Sequence, residues 1–251
     1  MKRYLVAAFV MAILCGVFAS GASADVLLFD RGLPTANLNN AAGANRSNVA
    51  WGDTPSTMYL PGDNFTLSGS GSYNVTTITV WAVQPTNTGS LSLWLGPQGG
   101  TISNIGAPAS VTSVTYSDGT TYQGSSGSFL NLYQVNFTIN QVLNAGTYDF
   151  FLGGTSSDGN TAYLHASNAA LSGSPQQGAD DTFLWLNSAT GQVLTWYSGT
   201  GGGTSAFGPG WDKNSDANVQ VYGSAVPLPA ALWLRGPGLA GLAAIRRRFK
   251  A

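Results

Sequence analysis

The sequence predicts an all-β body, a jelly-roll-like β-sandwich, flanked by an N-terminal signal peptide and a C-terminal transmembrane helix. Three observations carry the β reading. Apolar and polar residues alternate with a period of two, as in strands with one buried face. Clusters rich in Gly, Ser, Asn and Pro interrupt that alternation at short intervals. Residues that form and solubilise helices are scarce: the chain has no glutamate, and charged residues make up 8% of it, too few to clothe the exposed faces of helices.

The candidate strands follow in order. "VLLF" at Val26–Phe29 is the first, and Phe65–Ser68 the second. "YNVTTITVWAV" gives a β-rich run over Tyr73–Val83. In "LSLWLG", Leu91, Leu93 and Leu95 share a face, and Trp94 points away from them. Val111–Tyr116 follows. In "VNFTI", Val135, Phe137 and Ile139 point one way; in "YDFFL", Tyr148, Phe150 and Leu152 do the same. Ala162–Ala166, Thr182–Asn187, Val193–Tyr197 and Val219–Tyr222 complete the set. Roughly ten or eleven short strands with turns between them fit a sandwich. No repeat and no internal boundary divides residues 25–225, which read as one exported domain.

Charge separates this body from the C-terminus. From Asp25 to Ala225 the basic residues are Arg31, Arg46 and Lys213, against eleven aspartates, a formal charge of −8. Such a surface does not bind nucleic acid, which requires cations to displace counterions. Cys15 is the sole cysteine and falls in the leader, so the body has neither a disulfide nor a thiolate nucleophile.

Signals for catalysis are weak. His165 is the one histidine; no G-x-S-x-G turn accompanies a serine, and "AYLHAS" reads as a strand holding a surface or hydrogen-bonded structural imidazole. Asp180 and Asp181 are adjacent, so a strand would send them to opposite faces. No phosphate-cradling loop occurs. These features predict a non-enzymatic protein without a cofactor.

Two binding sites remain as expectations. "DKNSDAN" places Asp212, Asn214, Asp216 and Asn218 at alternate positions, like the start of a calcium loop. Ala217 stands where such a loop needs glycine, and Gly223 where it needs the bidentate glutamate, so a polar turn is the plainer reading. Trp94, directed away from its leucine neighbours, is the candidate aromatic platform for a sugar ring, and a carbohydrate-binding module is the alternative function. Sandwich packing is the plainer role for it as well. The four N-x-[ST] sequons, beginning at Asn45, Asn64, Asn74 and Asn136, mean glycosylation only in a secretory context that glycosylates.

The two ends carry the more specific signals. Lys2 and Arg3 precede an apolar run from Tyr4 to Phe18, and Ala22-Ser23-Ala24 forms an A-x-A site for signal peptidase before Asp25. Residues 1–24 are thus a signal peptide. At the other end Val226-Pro227-Leu228-Pro229-Ala230 leads into an apolar stretch to Ile245, then Arg246, Arg247, Arg248 and Lys250. This three-part order over residues 226–251 resembles the PEP-CTERM sorting signal in its VPLPA variant, found on exported proteins of exopolysaccharide-producing Gram-negative bacteria.

The resemblance implies recognition by an exosortase-type membrane protease that cuts near the Pro motif. It implies an inner-membrane intermediate, then release or attachment outside the cell in company with exopolysaccharide and biofilm. The physics agrees. Prolines keep the motif out of the following helix. The basic cluster stops transfer and stays cytoplasmic. Arg235 and Pro237 depart from the family pattern; a central Arg and a helix-breaking Pro weaken insertion.

Overall fold

The structure is a computed structural model that describes residues 24–34, 59–84, 89–115, 131–156, 163–167, 184–195 and 216–226. The signal peptide and the sorting tail, except Ala24 and Val226 at their inner margins, lie outside the described residues, as do Asp212 and Asn214. The described residues from Asp25 to Ser224 belong to one compact unit.

Among the described residues every regular element is a strand. In chain order these are β1 (Val26–Asp30), β2 (Tyr59–Gln84), β3 (Gly89–Pro97), β4 (Ser103–Gly106), β5 (Ser110–Val114), β6 (Asn131–Ser156), β7 (Tyr163–Leu164), β8 (Ala166–Ser167), β9 (Leu184–Asn187), β10 (Gln192–Thr195), β11 (Asp216–Ala217) and β12 (Val219–Ala225). Ten form one sheet, whose main path runs β1-β12-β2-β6-β3-β4; β5, β7, β9 and β10 pair beside it. β8 and β11 form a separate two-stranded sheet. The register pairs are antiparallel.

The frame differs from a set of short strands. β2 and β6 are 26 residues each and pair along their length, from Gly62↔Phe151 to Gln84↔Asn131. The stretches that read as turns are irregularities inside this ribbon. The β2–β6 register shifts between Leu67 and Ser72, and again between Val75 and Thr77. Gly69 (φ 107°) and Gly146 (φ 152°) take backbone angles that a Cβ disfavours, and Asn140 (φ 45°) is left-handed, which asparagine tolerates. "SGSGS" and "NQVLNAG" therefore bulge and bend the ribbon without ending its strands.

Side chains from both sides of the bend enter one core. Phe65 and Leu67 precede it on β2, and Val75, Ile78, Val80 and Ala82 follow it; Val135, Phe137, Ile139, Tyr148, Phe150 and Leu152 come from β6. Leu91, Leu93 and Leu95 of β3 join them, as their alternation predicts. Phe65 lies at the centre of an aromatic group, with ring centroids 5.7 Å from Tyr148, 5.9 Å from Phe29 and 6.3 Å from Phe150. Burying each such ring contributes about 1.5–3 kcal/mol. Two smaller clusters hold side chains of opposite parity: Leu60, Ile102, Phe151, Leu184 and Leu186 in one, and Trp81, Val83 and Leu132 in the other.

Candidate functional site

Among the described residues, a dense group of ionisable and amide side chains is buried where the N-terminal segment meets the last strand. β1 ends in Phe29-Asp30, and the next residue, Arg31, is fully buried. Its N–H donates to the Val219 carbonyl (2.9 Å). Gly32, at φ 75°, donates its N–H to Asp30 Oδ1 (2.9 Å), which turns the chain immediately after Arg31. The Arg31 side chain reaches inward. Nη1 lies 2.6 Å from Asp63 Oδ2 and 4.0 Å from Asp216 Oδ1, and Nη2 donates to Asn64 Oδ1 at 3.4 Å. The guanidinium carbon stands 5.4 Å from the centroid of the Phe29 ring, within cation–π range.

Asp63 also accepts the backbone N–H of Asn64 (2.7 Å) and of Ala217 (2.6 Å). Burial pushes its pKa up to about 7, against the pull of Arg31; Asp216 adds to the rise and the two N–H donors oppose it. Asn218 donates from Nδ2 to the carbonyls of Arg31 (3.3 Å) and Gly32 (3.1 Å). That fixes its amide orientation, so Oδ1 faces His165 Nδ1 at 2.8 Å and must accept. The geometry thus assigns the Nδ1–H tautomer to His165. Burial lowers the His165 pKa to about 4 despite the Asn218 bond, so the ring is neutral. Its backbone N–H donates to the Trp81 carbonyl (2.8 Å).

A carboxyl group near neutrality suits proton transfer. Here Arg31, Asp63 and Asp216 have 0% exposure and His165 1%, so the geometry joins three chain segments and gives no substrate access. Asp216 is drawn into this cluster from the "DKNSDAN" stretch. Its carboxylate shares the guanidinium with Asp63, and that positive charge competes with a divalent cation for it. Among the described residues, no group of three or more His, Cys, Asp or Glu is placed to hold a metal ion.

Sequence reasoning left His165 either at the surface or hydrogen-bonded; it is buried and hydrogen-bonded, and Arg31 and Asp63 were missed. The available signal was compositional: Arg31 is one of three basic residues in an acidic body and directly follows an apolar strand. Such a scarce cation beside core residues points to a buried partner.

A second polar site lies on the opposite side of the sheet from the main core. Trp94 does face away from Leu93 and Leu95, but it packs against the cluster of Leu60, Ile102, Phe151, Leu184 and Leu186. It is half-buried, and its indole Nε1 is buried without a hydrogen-bond partner. An open stacking platform is not formed. Asp149 lies opposite Gly96 on β3 and Asn64 on β2. It is 3% exposed, and its Oδ1 also lacks a partner. Burial raises its pKa to about 6. At Gly96 an added Cβ would come within 2.2 Å of the Thr101 carbonyl oxygen, so the turn after β3 lies directly over that strand position.

No protein-family model and no curated protein matches the sequence. Among solved structures, the chain is similar to the catalytic domain of a GH87 alpha-1,3-glucanase in complex with tetrasaccharides, with 18% identity and a TM-score of 0.24, over 58% of this chain and 26% of that one. The chain therefore spans about a quarter of the glucanase chain's length, and a likeness of that score carries no argument about fold or activity.

Proposed function

We propose that this chain is an exported, non-enzymatic protein of the cell envelope or extracellular matrix. Its tail holds it at the inner membrane until an exosortase-type protease cuts near Val226–Ala230, and the body then serves in an exopolysaccharide or biofilm matrix. The observation that carries this reading is the order of the last 26 residues: Pro motif, apolar stretch, basic cluster. Each part has a physical task in a transient membrane hold.

The body fits that role. Buried Arg31, Asp63 and Asp216 are engaged with one another, and strands from across the sheet feed the main apolar core. We read the bent β2–β6 ribbon as folded over that core into a sandwich of jelly-roll type, since residues on both sides of the bend contribute to one cluster. A transient hold also accommodates Arg235 and Pro237: a tail awaiting cleavage needs less insertion strength than a permanent anchor.

The test is a pair of tail variants in an exopolysaccharide-producing host. Pro227→Ala with Pro229→Ala leaves the body membrane-held, and removal of residues 226–251 leaves it soluble in the periplasm. Unchanged surface delivery of both variants would refute the reading. A reporter fusion carrying Arg235→Leu and Pro237→Ser inserts more completely than the parent tail.

A further inference from the structure

The chain enters and leaves the body at one place. β1 is an edge strand of the ten-stranded sheet and β12 is its neighbour, with Val26 opposite Gly223. Residue 25, expected to be the first of the exported body, thus lies beside the strand end that leads to the Pro motif. Asp25 is fastened there: its Oδ2 accepts a hydrogen bond from Thr76 Oγ1 (2.8 Å), which is also 3.3 Å from the Tyr222 carbonyl.

Residues of β2 and β6 adjoin this point. A Cβ on Gly223 would meet the Asn74 carbonyl oxygen at 2.2 Å, so the two backbones touch, and Asn74 is opposite Val142 of β6. Val26, Gly223, Asn74 and Val142 thus form a line of successive neighbours, joined by two strand pairings and one backbone contact, beside the bend of the long ribbon. Five large hydrophobic residues are exposed among the described residues. Three lie on this line or next to it: Val26 (53%), Leu27 (43%) and Val142 (64%). A fourth, Val226, directly follows β12. Scattered exposed apolar residues need no explanation, but their concentration where the chain enters and leaves does.

We propose that the end of the body bearing Val26, Leu27 and Val142 rests against the bilayer surface while the tail still holds the protein there. This rests on the membrane-held intermediate of the proposed function. The partner is an uncharged or zwitterionic lipid interface. The described charge next to the line is Asp25, and the line itself carries no Lys or Arg to recruit anionic headgroups. Three apolar side chains form too small a patch to bring a soluble protein to a membrane. A covalent tether at the same strand end supplies a high effective concentration, and weak contacts then suffice. The contact would keep the Pro motif near the membrane, where a membrane-embedded protease works, and release of the tail would end it.

Cysteine protection tests this in the full chain, expressed in an exporting Gram-negative host that lacks an exosortase-type enzyme. The native Cys15 leaves with the leader. Leu27→Cys and Val142→Cys replace exposed side chains, and Thr112→Cys, exposed on β5, is the reference. A membrane-impermeant maleimide should label the first two several-fold more slowly in membranes than in detergent, and Thr112→Cys at the same rate in both. Equal labelling at all three sites in membranes, fast or slow, overturns the proposal. Carbonate extraction separates the two ideas: a chain that washes off the membrane overturns the tether and this contact together. A chain that stays bound with Val142→Cys freely labelled overturns the contact alone.

Discussion

Replacing Arg31 with Met removes the cation that faces Asp63 and Asp216 among the described residues and leaves two carboxyl groups enclosed at 0% exposure. Deleting one member of a buried ion pair costs about 3–5 kcal/mol, because the remaining charge keeps its desolvation penalty. A domain of this size has a total stability of about 5–15 kcal/mol, so Arg31→Met consumes a large share of it. The loss also depends on pH. Asp63 already titrates near 7 by virtue of burial, and Arg31 is the strongest influence lowering it. Without Arg31 its folded pKa rises further above the unfolded value of 3.8. A carboxyl shifted upward destabilises the fold when ionised and is relieved as pH falls through the folded pKa. Urea unfolding followed by the fluorescence of buried Trp81 and Trp185 should therefore show the full loss at about pH 8 and a smaller one at about pH 5. Adding Asp63→Leu and Asp216→Leu to Arg31→Met should recover part of the stability. A loss below about 1 kcal/mol at the higher pH, or a loss that grows in acid, would refute the reasoning.

Other predictions follow from single groups. Asp149→Asn should stabilise the protein above about pH 6, where the unpartnered carboxyl is ionised, and make little difference below about pH 4; difference curves from thermal melts check this. His165 should titrate near 4 by NMR and report the Nδ1–H tautomer when neutral, whereas a shift midpoint near 6.5 would place the ring in water. Acid should destabilise the fold through His165 as pH falls from about 6.5 toward 4, since the folded ring resists protonation. Trp94→Ala should lose about 2–3 kcal/mol, below the ~3–5 kcal/mol of a fully buried aromatic truncation because the residue is half-buried; polysaccharide pull-downs should be unaffected in the folded fraction.

The alternation of side chains was legible in the sequence because its cause is local. Leu91, Leu93 and Leu95 enter the core together, as do Val135, Phe137 and Ile139. The continuity of β2 and β6 was not legible. A Gly–Ser run such as residues 68–72 satisfies turn statistics, and only cross-strand pairing shows that the ribbon bends there and continues. Ser103–Gly106 has little apolar content and was missed for the same reason: pairing with β3 makes it a strand. The ion cluster was invisible for a different cause. Arg31, Asp63 and Asp216 are far apart in sequence, and no short pattern encodes contacts of that range. Trp94 was placed on the correct face, but its surroundings come from β2, β6, β9 and the turn after β3, none of which its own segment reveals.

Intact-mass measurement of the protein recovered from the envelope and medium of an exopolysaccharide-producing host tests the central claim most directly. Processing at both ends predicts a species that begins at Asp25 and ends within or beside Val226–Ala230. A species outside the cell that still carries residues 1–24, or the Arg246–Lys250 cluster, would contradict it.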